Sequence, residues 1–260
     1  MTALCEIRGL SVAYPGASMP ALDGVDLDIR AGERLAIIGE SGSGKSTLAR
    51  ALAGLLPEGA RVAGDMRWAG GEPPQPGRDL GFVFQDPAAS LNPVLTIGEQ
   101  VAEGARRHLG LSWDAAHSLA VEMLEKVRIP DPERTAKAFP HQLSGGQRQR
   151  VAIAAALAAK PGMLIADEAT SALDMVVQAE IVGLLDDLVR AAGMTLLFIT
   201  HDIALASGFA DRVAIFRKGA LVETGPTRTV LAAPAAAYTK TLIASHRDLA
   251  TPPLVREAAP

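Results

Sequence analysis

The run Gly39-Glu40-Ser41-Gly42-Ser43-Gly44-Lys45-Ser46 constrains the fold more than any other stretch of the chain. It follows the apolar run Leu35–Ile38. A helix-like pattern over Thr47–Leu56 comes next, in which Leu48, Ala51, Leu52 and Leu55 share a face. Glycines let a backbone leave a strand, curl sharply and enter a helix. A strand, a glycine-rich turn and a helix in that order are expected in an α/β fold built on a parallel sheet. The curl turns several N–H groups inward, and the helix N-terminus adds partial positive charge, so the loop suits a phosphate. Lys45 is spaced to reach the β- and γ-phosphates of a nucleotide, and the Ser46 hydroxyl to bind Mg2+.

Three further runs resemble Leu35–Ile38: Leu80–Phe84, Met163–Ala166 and Thr195–Ile199. These short apolar runs read as strands buried on both faces. They end on Gln85, on Asp167 and Glu168, and on His201. Ligands of open parallel sheets bind beyond the carboxyl ends of the strands. These groups and the glycine-rich loop are therefore expected on one sheet edge. There Asp167 is placed to hold the Mg2+ shell and Glu168 to orient or deprotonate water. Nearer the start, Val25, Leu27 and Ile29 alternate with Asp26, Asp28 and Arg30, as in a half-buried strand. With Val62–Trp68 this predicts a small antiparallel sheet. Ile97–His108 and Trp113–Val127 read as amphipathic helices, broken near Pro130 and Pro132, and so as a helical insertion in the core.

A length of 260 residues suits one large α/β domain, or one domain with a subdomain inserted. A net charge of −4 offers no basic field for nucleic acid. The single cysteine, Cys5, makes no internal disulfide or multi-thiolate metal site, and reads as a small residue in an N-terminal strand. The longest plain apolar run, Val151–Ala159, is far short of the roughly 18–20 residues of a membrane span. No basic stretch leads into an apolar one at the N-terminus. The chain is thus expected to stay in the cytoplasm and to meet a membrane only through a partner. Residues 248–260 have few apolar anchors and are expected to be a flexible tail.

The segment Leu143-Ser144-Gly145-Gly146-Gln147 precedes a helical run in which Val151, Ala154, Ala155 and Ala158 fall on one side. A serine hydroxyl, glycine amides and a helix N-terminus make a second phosphate site. With this pentapeptide the chain resembles the ABC ATPase family over about residues 5–245. The resemblance implies a RecA-like P-loop NTPase core with an antiparallel β subdomain. A single domain over 1–247 would carry an α-helical subdomain inserted at about 88–156. Two such subunits, identical or homologous, would sandwich ATP and Mg2+. Ser144, Gly145, Gly146 and Gln147 would cap the nucleotide held by the partner's loop. On the chain's own side, Gly39, Ser41, Gly42, Ser43, Gly44, Lys45, Ser46 and Thr47 would hold the phosphates, and Tyr14 would stack on adenine. Ser46, Gln85 and Asp167 would hold the metal. Gln85 would also sense the attacking water and connect to the membrane partner. Ser171-Ala172-Leu173-Asp174 would cross the dimer interface, and His201 would contact the γ-phosphate. Glu168, His201, Gln85 and Lys45 would be the catalytic set. The other histidines, His108, His117, His141 and His246, read as structural or solvated.

Within that family the chain is similar to the ATPases of peptide and nickel importers. The residues carrying this are Phe84-Gln85-Asp86-Pro87, Ser90-Leu91-Asn92-Pro93, Val177-Gln178-Ala179, and Tyr238-Thr239 through Leu242. The resemblance implies two transmembrane permease subunits and, indirectly, an extracytoplasmic substrate-binding protein. It places the chain peripherally on the cytoplasmic face of the inner membrane, powering import of peptides or of nickel and metal chelates. Ala169 stands where most relatives have proline, which loosens the backbone after Glu168. The cysteine-rich C-terminal extension of many peptide importers is not in this sequence, which tilts the expected cargo toward nickel or metal chelates. The rival reading is an ABC-type ATPase subunit of a cytoplasmic enzyme complex, such as phosphonate-cleaving machinery. ABC ATPases that act on ribosomes or DNA usually carry two cassettes or a long coiled-coil insertion, and neither is present here.

Overall fold

A computed structural model describes residues 2–86, 90–170 and 173–247. These fall into two compact units. One is formed by the chain up to Pro74 together with the chain from Met194 onward, the other by Gln75–Gly193.

The first unit opens with β1 (Ala3–Ala13), β2 (Leu22–Arg30), β3 (Arg34–Ile38), α1 (Lys45–Leu52) and β4 (Arg61–Trp68). β1 lies between β2 and β4 and is antiparallel to both, the small sheet that the alternation predicted. Leu22, Val25, Leu27 and Ile29 are buried while Asp23, Asp26 and Arg30 are exposed, so one face of β2 meets the core. Cys5 is fully buried in β1. Burial, and then the Asp28 and Glu6 carboxylates, push its thiol up to about 12, so it is a packing residue and not a nucleophile.

α1 departs from expectation. It begins at Lys45 rather than Thr47 and ends at Leu52 rather than Leu56. Gly54 takes a left-handed φ of 66°. Gly54 N–H donates to Ala51 O (3.2 Å) and Leu55 N–H to Arg50 O (2.8 Å), closing the helix in a Schellman turn. Leu55 therefore leaves the apolar face it shares in sequence with Leu48, Ala51 and Leu52, and is 41% exposed.

The second unit contains β5 (Leu80–Val83), α2 (Ile97–Leu109), α3 (Trp113–Lys126), α4 (Pro132–Ala136), a 3-10 turn at Pro140–Gln142, α5 (Gly145–Leu157), β6 (Met163–Asp167) and α6 (Met175–Ala192). β5 and β6 pair in parallel. Thr96 starts α2 with a capping box: its Oγ1 accepts the Glu99 N–H (3.3 Å), and the Glu99 carboxylate accepts the Thr96 N–H (2.8 Å). Ile97, Val101 and Ala105 of α2, and Ala116, Ala120 and Leu124 of α3, are buried at helical spacing. Pro132 is tolerated because it opens α4, where its missing N–H has no helical partner to lose.

The chain then returns to the first unit with β7 (Thr195–Thr200), α7 (Ile203–Ser207), β8 (Arg212–Arg217), β9 (Ala220–Pro226), α8 (Thr227–Ala232) and α9 (Ala237–Arg247). β3 is flanked by β7 and β8, parallel to both, and β9 runs antiparallel on β8. The expected tail 248–260 lies outside the described residues, as do Pro87, Ser171 and Ala172. Among the described residues no helix is long and apolar enough to cross a membrane.

Glu33 and Arg212 form a buried ion pair at the start of β3 and β8. Arg212 Nη1 donates to both Glu33 oxygens (2.9 and 3.0 Å) and to Asp28 O (3.1 Å), and the Arg30 N–H donates to Glu33 Oε1 (2.6 Å). Removing one partner strands a buried charge. Arg212→Met should cost about 3–5 kcal/mol, read as a thermal midpoint lowered by roughly 10 °C. A midpoint within about 2 °C of wild type would show that the pair contributes little.

Candidate functional site

In the first unit, β3 and β7 end in register, with Ile38 paired to Thr200. Gly39 and His201 are the next residues, so the phosphate loop and the exposed His201 leave the same edge from adjacent strands. Asp202 holds the chain beyond His201 by accepting the N–H groups of Ala204 (2.7 Å) and Leu205 (3.2 Å) at the start of α7.

The loop is shaped by close packing as well as by curvature. A Cβ on Gly39 would collide with the Phe216 carbonyl oxygen. One on Gly44 would lie 2.5 Å from Ala21 O and 2.8 Å from Leu22 Cδ2, and Gly44 also has φ 101°. The β8–β9 turn braces the loop from outside: Gly219 N–H donates to Ser43 O (3.0 Å), and Gly219 O accepts the Asp23 N–H (2.9 Å). Lys45 is buried, its ammonium donating to Gly39 O (2.8 Å) and Glu40 O (2.9 Å). The Ser43 hydroxyl is buried with no hydrogen-bond partner among the described residues. A helix N-terminus, a buried ammonium and a spare buried hydroxyl fit a bound phosphate chain. Tyr14 OH lies 3.1 Å from Thr47 Oγ1, which fixes the ring beside this loop.

In the second unit β5 and β6 also end together, Val83 pairing with Ala166. Two residues further along each strand stand Gln85 and Glu168, and Gln85 Nε2 donates to Glu168 Oε2 (2.9 Å). Asp167 is buried at the end of β6. Glu168 has φ 45°, a left-handed conformation that costs a residue with a Cβ and is found chiefly where the surroundings enforce it. The enforcement is visible one turn on. Asp174 caps α6 by accepting the Val177 N–H (3.0 Å), and Gln178 Nε2 reaches back to Thr170 O (2.8 Å). Ala169 and Thr170 are both buried. Ala169 itself is thus packed, and the next residue's carbonyl is anchored by Gln178.

Ser144 caps α5 in a capping box: its Oγ accepts the Gln147 N–H (3.3 Å), and Gln147 Oε1 accepts the Ser144 N–H (2.9 Å). A Cβ on Gly146 would lie 3.1 Å from Val177 Cγ1, so α5 begins against the start of α6. Arg150 ties the same two helices through Glu180 (2.8 Å). In the first unit, then, Tyr14 meets the phosphate loop and His201 leaves the adjacent strand at the same edge. In the second, Gln85 meets Glu168 beside Asp167, while the Ser144 segment makes its contacts with Leu173 and Val177 at the start of α5. Sequence reasoning missed the supports. Gln178 was noted only as a subfamily marker, and Gly219 was not noted at all. Its signal was a Lys218-Gly219 turn between two strand-like runs.

The sequence pattern of the ABC transporter family matches residues 22–171. The chain is 44% identical over 256 residues to the peptidoglycan transport ATP-binding protein YejF of Agrobacterium fabrum, with 94% of the chain and 47% of that protein covered, so it spans about half of that relative. It is 42% identical over 262 residues to the oligopeptide transport ATP-binding protein OppD of Bacillus subtilis, covering 96% of the chain and 73% of that protein. Among solved structures, the dimeric post-hydrolysis state of the ATP-binding cassette MJ0796 bound to ADP and Pi superposes with a TM-score of 0.75 at 31% identity, covering 86% of this chain and 99% of that one. The chain belongs to the ABC transporter family, as one of its ATPases.

Two loop glycines separate strain from crowding. Gly42 has φ 77° but open space around a Cβ, whereas Gly44 has both a left-handed φ and close neighbours. Gly42→Ala should cost about 1 kcal/mol. Gly44→Ala should cost about 2–4 kcal/mol by adding overpacking to strain. Chemical denaturation of both variants measures this, and equal losses would mean that the loop relaxes around Gly44.

Proposed function

We propose that this ATPase powers the import of peptides through two separate transmembrane permease subunits, as one of a pair of identical or homologous cassettes. The observation that carries the cargo reading is the similarity, over nearly the whole chain, to proteins named for oligopeptide and peptidoglycan transport. Nickel and metal chelates draw no support from those relatives, nor does a phosphonate-cleaving complex. The proposed place of work is the cytoplasmic face of the inner membrane, with an extracytoplasmic binding protein delivering cargo to the permeases.

In the proposed mechanism Lys45 moves from the Gly39 and Glu40 carbonyls to the β- and γ-phosphates, and the loop N–H groups and the Ser43 hydroxyl take the remaining oxygens. Tyr14 receives the adenine face. Ser46, Asp167 and Gln85 offer a hydroxyl, a carboxylate and an amide, a small set of oxygen donors that suits Mg2+ alongside phosphate. When bound there, Mg2+ would supply positive charge to offset that of the phosphates. Glu168, with Gln85 at its carboxylate, orients the attacking water and takes its proton. The oxygen of that water bonds to the γ-phosphorus, the bond to the β–γ bridging oxygen breaks, and ADP leaves with the electron pair. His201 steadies the γ-phosphate. Ser144, Gly145 and Gly146 close over the nucleotide of the partner cassette.

Lys45→Ala should lose ATP hydrolysis and bind ATP weakly. Glu168→Gln should bind ATP but turn it over at least about a hundredfold more slowly, and so accumulate as an ATP-bound dimer on size-exclusion chromatography. A Glu168→Gln protein that stays monomeric with saturating ATP and Mg2+ argues against paired cassettes.

Ser144→Arg tests the partner contact separately. Bulk and charge at the start of α5 should block turnover while leaving ATP binding to the single subunit within about twofold of wild type. Normal hydrolysis by Ser144→Arg would show that the segment does not act across the interface.

A further inference from the structure

Glu168 carries its carboxylate on an unfavourable backbone. Its φ of 45° is left-handed, and a residue with a Cβ stays there only where its surroundings hold it. Gln85 Nε2 holds the tip of the side chain by donating to Oε2 (2.9 Å). That bond fixes the carboxylate but not the main chain beneath it. The backbone leading away from β6 needs a restraint of its own.

The next two residues, Ala169 and Thr170, are buried, and neither is a proline, whose ring would set φ. Restraint on this stretch has to come from packing and from bonds to the main chain. Two bonds meet at one atom: Thr170 O accepts the Leu173 N–H (3.1 Å) and Gln178 Nε2 (2.8 Å). The first is local and travels with the turn. The second ties Thr170 to a helix that is anchored independently. Asp174 caps α6 by accepting the Val177 N–H (3.0 Å), and the Gln178 N–H donates to Asp174 O (2.9 Å). Glu180 binds Arg150 of α5 (2.8 Å), and Ile181, Val182, Leu184 and Leu185 bury the helix in the second unit. Gln178 is thus a half-buried amide whose donor is spent on a backbone atom two residues beyond Glu168.

We propose that Gln178 is a positioning residue for hydrolysis: by fixing the Thr170 carbonyl to α6 it keeps Glu168 in its left-handed conformation, with the carboxylate placed for the attacking water. This rests on the reading of Glu168 as the base. Gln178 touches neither nucleotide nor water, and it acts through the backbone. Without its bond the main chain relaxes for part of the time, and only the remaining fraction is competent for chemistry. The effect therefore falls on turnover and spares nucleotide binding.

The full chain tests this, with turnover read as phosphate release and affinity by a fluorescent ATP analogue. Gln178→Met keeps the length of the side chain and removes the donor. It should lower kcat roughly five- to thirtyfold and leave the Kd for ATP within about twofold of wild type. Gln178→Glu is closer still to glutamine in shape, but sets an acceptor against the Thr170 carbonyl. A donor role makes it the slower of the two variants. A packing role makes it the faster, and that order overturns the proposal. An acidic side chain suits the N-terminus of a helix, so Gln178→Glu keeps the comparison with wild type open should Gln178→Met fold poorly. In a Glu168→Gln background, Gln178→Met should change the residual turnover by less than about twofold, because the group it positions is gone. That double variant should also still pair on ATP in size-exclusion chromatography. An equal slowing in both backgrounds, or a double variant that stays monomeric where Glu168→Gln pairs, overturns the proposal by placing Gln178 in general stability or in the interface. Turnover at the wild-type rate by Glu168→Gln would remove the assignment of the base and the proposal with it. A slow Glu168→Gln beside an unimpaired Gln178→Met would remove only the role of Gln178.

Discussion

The ammonium of Lys45 is the group around which the first unit is built. Lys45 as a whole is only 3% exposed, and its ammonium is held by the carbonyls of Gly39 and Glu40 at the start of a helix whose own dipole is positive there. Stacking two positive features in a poorly hydrated place is costly unless the place is meant for an anion. The carbonyls reach Lys45 only because the chain folds back between residues 39 and 44. That path leaves no room for a Cβ on Gly39 or Gly44. The close neighbours come from elsewhere in the unit: Phe216 at the end of β8, and Ala21 and Leu22 at the entry to β2. The loop path that holds this ammonium thus requires glycine at two positions, and Gly219 braces it from outside.

A different constraint rules the second unit. Glu168 occupies a left-handed φ without being glycine, and such a conformation persists only where the surroundings leave no alternative. Gln85 holds the carboxylate from one side. On the other side the chain is buried at once, and Gln178 pins it at the Thr170 carbonyl. The same α6 that carries Gln178 packs its Val177 against Gly146 and binds Arg150 through Glu180. Thr170 and the first turn of α5 thus both rest on the start of α6.

What was legible in the sequence follows a physical rule. Features repeated along the chain and packed against a core could be read: the alternation of β2, the apolar runs within β3, β6 and β7, and the stripes of α2 and α3. Strand ends were legible too, because parallel strands in register deliver their next residues together, as Ile38 with Thr200 and Val83 with Ala166 do. Contacts made once, by one side chain to a distant backbone atom, were not. Gln178 looks like any polar residue on a helix, since nothing in its neighbours reports the Thr170 carbonyl. The end of α1 was misread for a related reason. Leu55 continues the apolar spacing, and only the turn at Gly54 cancels it. Likewise Tyr238 stood in the sequence as a subfamily marker, and only packing brings it beside Arg217.

Ser144 shows how a single side chain serves a structural and a proposed chemical role without conflict. A hydroxyl has one proton to give and two lone pairs to receive with. In the capping box one lone pair is used, because Oγ accepts from the Gln147 N–H while the Ser144 N–H is satisfied by Gln147 Oε1. The proton stays available, and it is the proton that a phosphate oxygen needs. Capping also fixes the hydroxyl at the mouth of α5, where the N–H groups of Gly145 and Gly146 head the same helix. The missing side chain of Gly146 lets the first turn of α5 pack against Val177 of α6. On the proposed reading, the fold thus sets the donor geometry of this segment before any nucleotide arrives, and the entropy of aligning the donors is met during folding rather than during catalysis.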